Sequence, residues 1–319
     1  MKINVDNISE AISEARPNLK SNTISQYESN LNKLKKIFDT DSWGFLSDPD
    51  KVKENISHLH FTSQRNHYNA IIVLLMALNA SKKYDKLINE YGGIRDELNN
   101  KYIEQQKSGI ISDKQAPNFA KKEEIDGMIK TIADELKKVD LKQIPLSKKD
   151  FALFQLYVLV NLYSKMPLRN DVAGMESITK GNYNKLSKDE QKSKNWLLIE
   201  KNKLSFILNN YKSNKTYGQK IIPIEDTSLK KILRQFIKVS GPGVLFKSSS
   251  GKALTRNALS QFLLKFTKKY MNKSVSSTMF RKIYLSDKYS DMKEEMKKDS
   301  HMMAHSTGVA MSTYVKKSD

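Results

Sequence analysis

The chain has 319 residues, 39% hydrophobic and 28% charged, and contains no cysteine. That length suits about two domains with packed cores rather than a disordered polymer, and the missing cysteine excludes disulfides, thiolate nucleophiles and cysteine–zinc sites. Lys and Arg number 55 against 35 Asp and Glu, a formal net charge of +20, which attracts polyanions through counterion release and makes nucleic acid the leading partner over a membrane surface.

The first stretch, "MKINVDNISEAISEARP", lacks the apolar block of a signal peptide. In residues 21–38, Ile24, Tyr27, Leu31, Leu34 and Phe38 recur at three- and four-residue steps, which predicts a helix capped by Asn22 or Thr23. A second helix is expected over 62–79, with Thr62 or Ser63 as cap, and a third through "KKYDKLINEY". Together they make a small helical bundle. The stretch 104–120, with a Gly, a Pro and few large apolar residues, reads as the boundary: domain 1–112, linker 113–120, domain 121–319.

The second part opens on a helix over 121–139 with an apolar stripe of Ile125, Met128, Ile129, Ile132 and Leu136. The apolar run 151–163, interrupted by Gln155 and Asn161, is too short to span a bilayer and reads as a buried helix. Strands are expected at 195–202, 204–211 and 219–224, forming a small antiparallel sheet. Helices follow to the end. The predicted fold class is therefore mainly α with a small antiparallel β-sheet.

Four features carry chemistry. "MPLRND" places Arg169 just after the buried helix, and "STMFRKIY" places Arg281 between apolar neighbours. "HSTGVAMSTY" sets Tyr314 nine residues after His305. Singly, each has a plainer reading, as a surface or ion-paired arginine or as a core or rim tyrosine. His301 and His305 are four apart, but no Glu supplies the H-E-x-x-H base and no third ligand is evident, so no metal is expected. The stretch "GVLFKSSSGK" fails the phosphate-loop spacing and reads as a tight turn.

In that order, the four features resemble the catalytic domain of tyrosine recombinases, the integrases of phages, mobile elements and large DNA viruses. The resemblance covers roughly residues 120–319. It implies a helical core-binding domain followed by an α+β tyrosine-recombinase catalytic domain, with Arg169 and Arg281 as phosphate clamps and His305 as a further donor. The family's hairpin lysine would be the general acid: counting from "FILNNYKS" favours Lys212, counting back from "QKIIPI" gives Lys215, and the plainer reading of either is a solvated turn lysine. Tyr314 would be the nucleophile. Where the family carries a histidine three residues before the second arginine, this chain has Thr278, whose hydroxyl can hydrogen-bond to a phosphate but cannot act as an imidazole base. Asp171, two residues after Arg169, is expected either to orient that arginine or to lie on the surface.

The activity implied is site-specific DNA cleavage and rejoining through a 3′-phosphotyrosyl intermediate, without metal, ATP or cofactor. The partners implied are double-stranded DNA and three further copies of the chain, as a dimer of dimers on DNA. The location implied is intracellular, in a host nucleus or cytoplasm if the chain is viral. The alternatives are relaxation of supercoils in the manner of a type IB topoisomerase, or non-catalytic DNA binding. Helix residues Arg256, Asn257, Gln261 and Lys265 are expected DNA contacts, as are Lys33 and Arg65 in the first domain. Lys20, Gln26, Asn30 and Asn66 are weaker candidates there.

Overall fold

Helices begin where a side chain can accept the free N–H groups of the first turn. In the computed structural model, which describes residues 3–113, 115–304, 306–309, 311 and 313, Asn7 caps α1 (Ile8–Ala15), accepting from Glu10 N at 3.1 Å. Helix α2 (Ser21–Ile37) starts ahead of Asn22 and Thr23. Its N-cap is Lys20, which supplies no side-chain acceptor. Asp48 caps α3 (Pro49–Ile56), with proline at the first helical position, where its missing N–H costs nothing. For α4 (Phe61–Ala77) the cap is His60 rather than Thr62 or Ser63, its Nδ1 accepting from Thr62 N at 3.3 Å. Helix α5 (Asp85–Ser108) runs far beyond the expected third helix and stops at Gly109, in the left-handed conformation at φ 72°.

The chain divides into two units, Met1–Ile111 and Ser112–Asp319. The first is built from α1 to α5. Its core holds Ile12, Leu31, Leu34, Leu46, Tyr68 and Tyr91, and the Tyr91 hydroxyl donates to the Leu46 carbonyl at 3.0 Å. The stripe expected from the sequence faces this core, with Ile24, Leu31 and Leu34 buried and Tyr27 and Phe38 packed at its edge.

In the second unit, residues 115–120, read from the sequence as linker, are stitched to the domain that follows. Asn118 Oδ1 accepts from Ser274 N at 2.7 Å, Phe119 O accepts from Lys273 Nζ at 3.1 Å, and Ala120 is buried. The elements are then α6 (Lys122–Leu136), α7 (Lys148–Lys165), β1 (Glu176–Thr179), α8 (Lys180–Lys185), α9 (Lys188–Ser193), β2 (Trp196–Ile199), β3 (Leu204–Leu208), α10 (Asn214–Tyr217), β4 (Lys220–Pro223), α11 (Thr227–Ser240), β5 (Gly243–Val244), α12 (Arg256–Met271), α13 (Ser277–Met302) and α14 (Thr307–Val309).

Helix α7 is apolar on nearly every side, so it can be stable only at the centre, and α6, α11 and α13 all pack on it. Its buried Gln155 is satisfied by the main chain of Lys247, to which it donates at 3.1 Å and from which it accepts at 2.8 Å. Phe236 of α11 meets Phe154 edge-on at 5.2 Å and Phe246 face-on at 5.8 Å, a ring cluster that closes the α7–α11 side of the core.

The sheet has five strands in the order β4-β3-β2-β1-β5. It corrects the sequence expectation of an antiparallel sheet, because β1 pairs with β2 in parallel, Glu176 opposite Trp196, and α8 and α9 make the crossover between them. The three expected strands are β2, β3 and β4, antiparallel to one another in sequence order. Pro223 sits at the end of β4, an edge strand, where no ladder partner is lost. Strands β1 and β5 escape sequence reading because β1 is four residues long and half-exposed, and Gly243 takes φ 87° inside β5. The stretch 247–253 is a tight turn, with Ser248 N donating to Lys252 O at 2.8 Å. Among the described residues no helix is long and apolar enough to cross a membrane.

Asp226 caps α11 and ties it to the end of α7. Its carboxylate accepts from Leu229 N at 2.7 Å, from Lys165 Nζ at 2.9 Å and from Ser228 Oγ at 2.8 Å. Burial works to raise its pKa, but the Leu229 N–H, Lys165 and Ser228 outweigh it and hold the carboxyl at about 2, against an ordinary 3.8. A depressed carboxyl stabilises the fold above its unfolded pKa, and that contribution is lost as pH falls through the folded value. Asp226→Asn is therefore expected to be about 1 kcal/mol less stable than wild type at pH 7, solvent screening limiting so exposed a pair. The gap should close between pH 4 and pH 2. Urea unfolding of both proteins across that range checks it, and a gap that persists at pH 2 would refute the role given to the charge.

Candidate functional site

Pro167 cannot continue α7, and the residue before it is pushed out of the helical region, so the helix ends at Met166 with φ −133° and ψ 79°. The chain then makes a short 3₁₀ turn over Asn170–Val172, with Arg169 at its cap. Gly174, at φ 70°, reverses it into β1. This turn presents Arg169 to solvent, and Arg169 makes no hydrogen bond or ion pair among the described residues. Two residues on, Asp171 points inward, only 6% exposed.

Arg281 comes from the first turns of α13, whose N-cap is Ser276. The helix is pressed onto α7 by Phe280, stacked on Tyr163 with centroids 5.9 Å apart. Arg281 Nη2 donates to Thr278 Oγ1 at 3.0 Å, so the threonine that replaces the expected histidine steadies this guanidinium and keeps its own hydrogen for another acceptor. Arg281 Nε is buried without an acceptor. Burial and the neighbouring Arg169 pull the Arg281 pKa down, against Tyr163 and Asp171, which raise it. An arginine remains charged even so.

Arg256, first residue of α12, reaches into the same cluster. Its Nη2 lies 2.9 Å from Asp171 Oδ1 and donates to the Asn210 carbonyl at 2.7 Å. The Asp171 ion pair is therefore with Arg256 rather than Arg169, and Arg256, expected from the sequence as a base-edge contact, is held by protein groups. Burial raises the Asp171 pKa above its ordinary value, while Arg256, Arg169 and Arg281 all act to lower it. Three guanidiniums thus lie within electrostatic reach of one carboxylate, which pairs directly with Arg256. Desolvation also raises the Tyr163 hydroxyl well above its ordinary value, and Asp171 adds to this. That hydroxyl stays a donor, to Asn170 Oδ1 at 2.8 Å. Asn170 in turn donates to the Arg256 carbonyl at 3.1 Å and to Ser260 Oγ at 2.7 Å, joining the turn to α12.

Lys212 and Lys215 both lie in the connection between β3 and β4, and both are exposed. The connection is tied to the arginine turn by Asn195, whose Nδ2 donates to the carbonyls of Asp171 at 2.7 Å and Asn210 at 3.1 Å. Asn170 and Asn195 were not singled out from the sequence. Asparagine is common in loops, and only the partners, 24 and 86 residues away in the chain, distinguish these two.

His305 and Tyr314 lie outside the described residues. Asn257, Gln261 and Lys265 form an exposed row along α12, opposite buried Leu259 and Leu263. In the first unit Lys20, Lys33, Gln26 and Asn66 are exposed and Asn30 is half-buried, its carbonyl 3.1 Å from His67 Nδ1. Arg65 lies 4.1 Å from the centre of the Tyr102 ring and donates to Asn99 Oδ1 at 3.3 Å. These contacts brace α4 against α5.

Among the described residues no group of three His, Cys, Asp or Glu side chains is placed to hold a metal ion. What the cluster offers is positive charge with directed N–H donors: Arg169 exposed, Arg281 braced by Thr278, and a lysine-bearing loop fixed alongside. Such a set suits an oxyanion of phosphate size. Comparison with protein-family models, with curated proteins and with solved structures found no match for this chain.

Proposed function

We propose that the chain is a DNA strand transferase of the tyrosine-recombinase type, acting on double-stranded DNA as a homotetramer inside the cell that holds its target. The observation that carries this reading is the meeting of Arg169 and Arg281, 112 positions apart in sequence, around the buried Asp171, with the lysine loop tied to the same turn. The +20 net charge supplies the long-range attraction to a polyanion.

In this mechanism the two guanidiniums bind the non-bridging oxygens of one DNA phosphate and stabilise the charge that builds there as the phosphorus becomes five-coordinate. The Tyr314 oxygen attacks phosphorus, and its proton passes to solvent. As the new O–P bond forms, the bond to the 5′ oxygen breaks, and that oxygen takes a proton from the lysine ammonium. The products are a 3′-phosphotyrosyl link and a free 5′-hydroxyl. One ester replaces another, so no energy source is needed, and a 5′-hydroxyl from a partner strand reverses the step at a new junction.

The test is covalent trapping. The protein is incubated, with chelator present, with a pool of nicked duplexes of random sequence, and denatured. The expected result is a denaturant-resistant protein–DNA adduct whose digest carries the nucleotide on Tyr314. DNA that is retained under native conditions but never attached would overturn strand transfer and leave a DNA-binding protein.

A further inference from the structure

The side chain of Asn195 is 6% exposed and uses its full hydrogen-bonding capacity on main-chain groups of two separate segments. Its Oδ1 accepts from Asn209 N at 2.8 Å and Asn210 N at 2.7 Å. Its Nδ2 donates to Asn210 O at 3.1 Å and Asp171 O at 2.7 Å. Asp171 is two residues after Arg169, and Asn210 two before Lys212. Asn195 itself is anchored to the sheet, since it precedes β2, the central strand, and its carbonyl accepts from Glu176 N of β1 at 3.3 Å.

The loop it holds is tied both to the end of α9 and to itself. Asn209 Nδ2 donates to the carbonyls of Gln191 and Lys194, both at 2.8 Å, and Asn214 Nδ2 to Asn209 O at 2.9 Å. Tyr211 Oη closes the far side on Gly218 O at 2.7 Å. Arg256 adds a second brace on the Asn210 carbonyl. A strand connection needs none of this to reverse direction. A platform that must hold an ammonium at a fixed distance from two guanidiniums does, since misplacement by about 1 Å can lower a rate on the order of a hundredfold.

We infer that Asn195 is the positioning residue that sets the proton-donating lysine of the 209–219 loop against the arginine turn. This rests on the strand-transfer reading above, in which the lysine ammonium protonates the departing 5′ oxygen. Asn195 touches neither DNA nor lysine ammonium in this role. It acts through the main chain.

The experiment compares two DNA substrates, one with the ordinary 5′ oxygen at the scissile phosphate and one with sulfur in that bridging position. A thiolate leaves without a proton, so only the oxygen substrate needs the lysine. Wild type is expected to form adduct with both. Asn195→Ala should lose on the order of a hundredfold on oxygen and remain within about threefold of wild type on sulfur, since α13 still holds Arg281 and Asn170 still ties the arginine turn to Tyr163 and α12. Adding Asn195→Ala to whichever of Lys212→Ala and Lys215→Ala shows the same pattern should lower the rate little further. Native DNA affinity and a single cooperative melting transition, shifted down by the lost hydrogen bonds, establish that the variant is folded. If alanine does not fold, Asn195→Asp, isosteric but without the two donors, takes its place. Equal losses on both substrates, or losses that multiply in the double variant, would overturn the inference while leaving strand transfer standing. Wild type that attaches to neither substrate would overturn the strand-transfer reading and this inference with it.

Discussion

Tyr314→Phe is expected to bind DNA within about twofold of wild type and to form no covalent adduct, because binding rests on many phosphate contacts while attachment needs one oxygen. The substitution removes a single hydroxyl from a chain with 14 tyrosines, so it isolates one atom. Neighbouring hydroxyls do not replace it. Ser306, Thr307, Ser312 and Thr313 are aliphatic alcohols, and an alkoxide is far less accessible at neutral pH than a phenolate with its ordinary pKa of about 10. The adduct assay on nicked duplexes reads the result directly. Adduct at wild-type yield from the phenylalanine variant would place the nucleophile elsewhere. The described tyrosine nearest the arginine cluster, Tyr163, is unsuited to the task. It is fully buried, its hydroxyl is committed to Asn170, and burial pushes its pKa up, away from the phenolate.

Arg281→Ala should slow adduct formation by a factor on the order of 10² to 10³, about 3–4 kcal/mol, the usual cost of removing one preorganised donor to a developing oxyanion. The same loss is expected of Arg169→Ala. Arg281 carries a second signature that a structural arginine would not show. It stands against Arg169, a like charge, and its Nε is buried with no acceptor. Both are costs in the unliganded fold, and an unsatisfied buried donor alone costs about 1–3 kcal/mol. Removing the side chain also removes those costs, so the melting temperature should hold or rise while cleavage falls. Single-turnover adduct formation and a thermal melt on the same sample separate the two effects. A near-normal rate, or a rate loss that tracks a lower melting temperature, would show Arg281 to be structural. Retained function at the expense of stability is the pattern expected where like charges are gathered for a ligand.

Several parts of this protein were legible before any coordinates. The stripes of α2 and α6 repeat at helical spacing, and the same residues line the two cores. The all-round apolarity of α7 marked it as central, and two short apolar runs joined by a Lys-Asn turn marked β2 and β3. Helix limits were less legible. The cap of α4 is a histidine, a residue not usually counted as a cap, and α5 runs on past the expected third helix, its Ile94 and Leu98 continuing the core-facing stripe of Leu87 and Tyr91. The parallel pairing of β1 with β2 was invisible because β1 is only four residues and its partner lies across two short helices.

The candidate site divides in the same way. Residue type singled out Arg169 and Arg281, because a charge beside an apolar run is conspicuous locally, while Thr278 and the two lysines were marked only by the family resemblance. Folding alone decided that Asp171 pairs with Arg256, that Thr278 braces Arg281, that Arg65 serves its own bundle, and that Asn195 joins two segments whose chemistry is separate in sequence. Local propensity acts over a few residues, and the chain can display it as a pattern. A hydrogen bond between Asn195 and Asp171, or an ion pair between Arg256 and Asp171, depends on where the packing of α7, α12 and the sheet brings their backbones, and no stretch of sequence holds that distance.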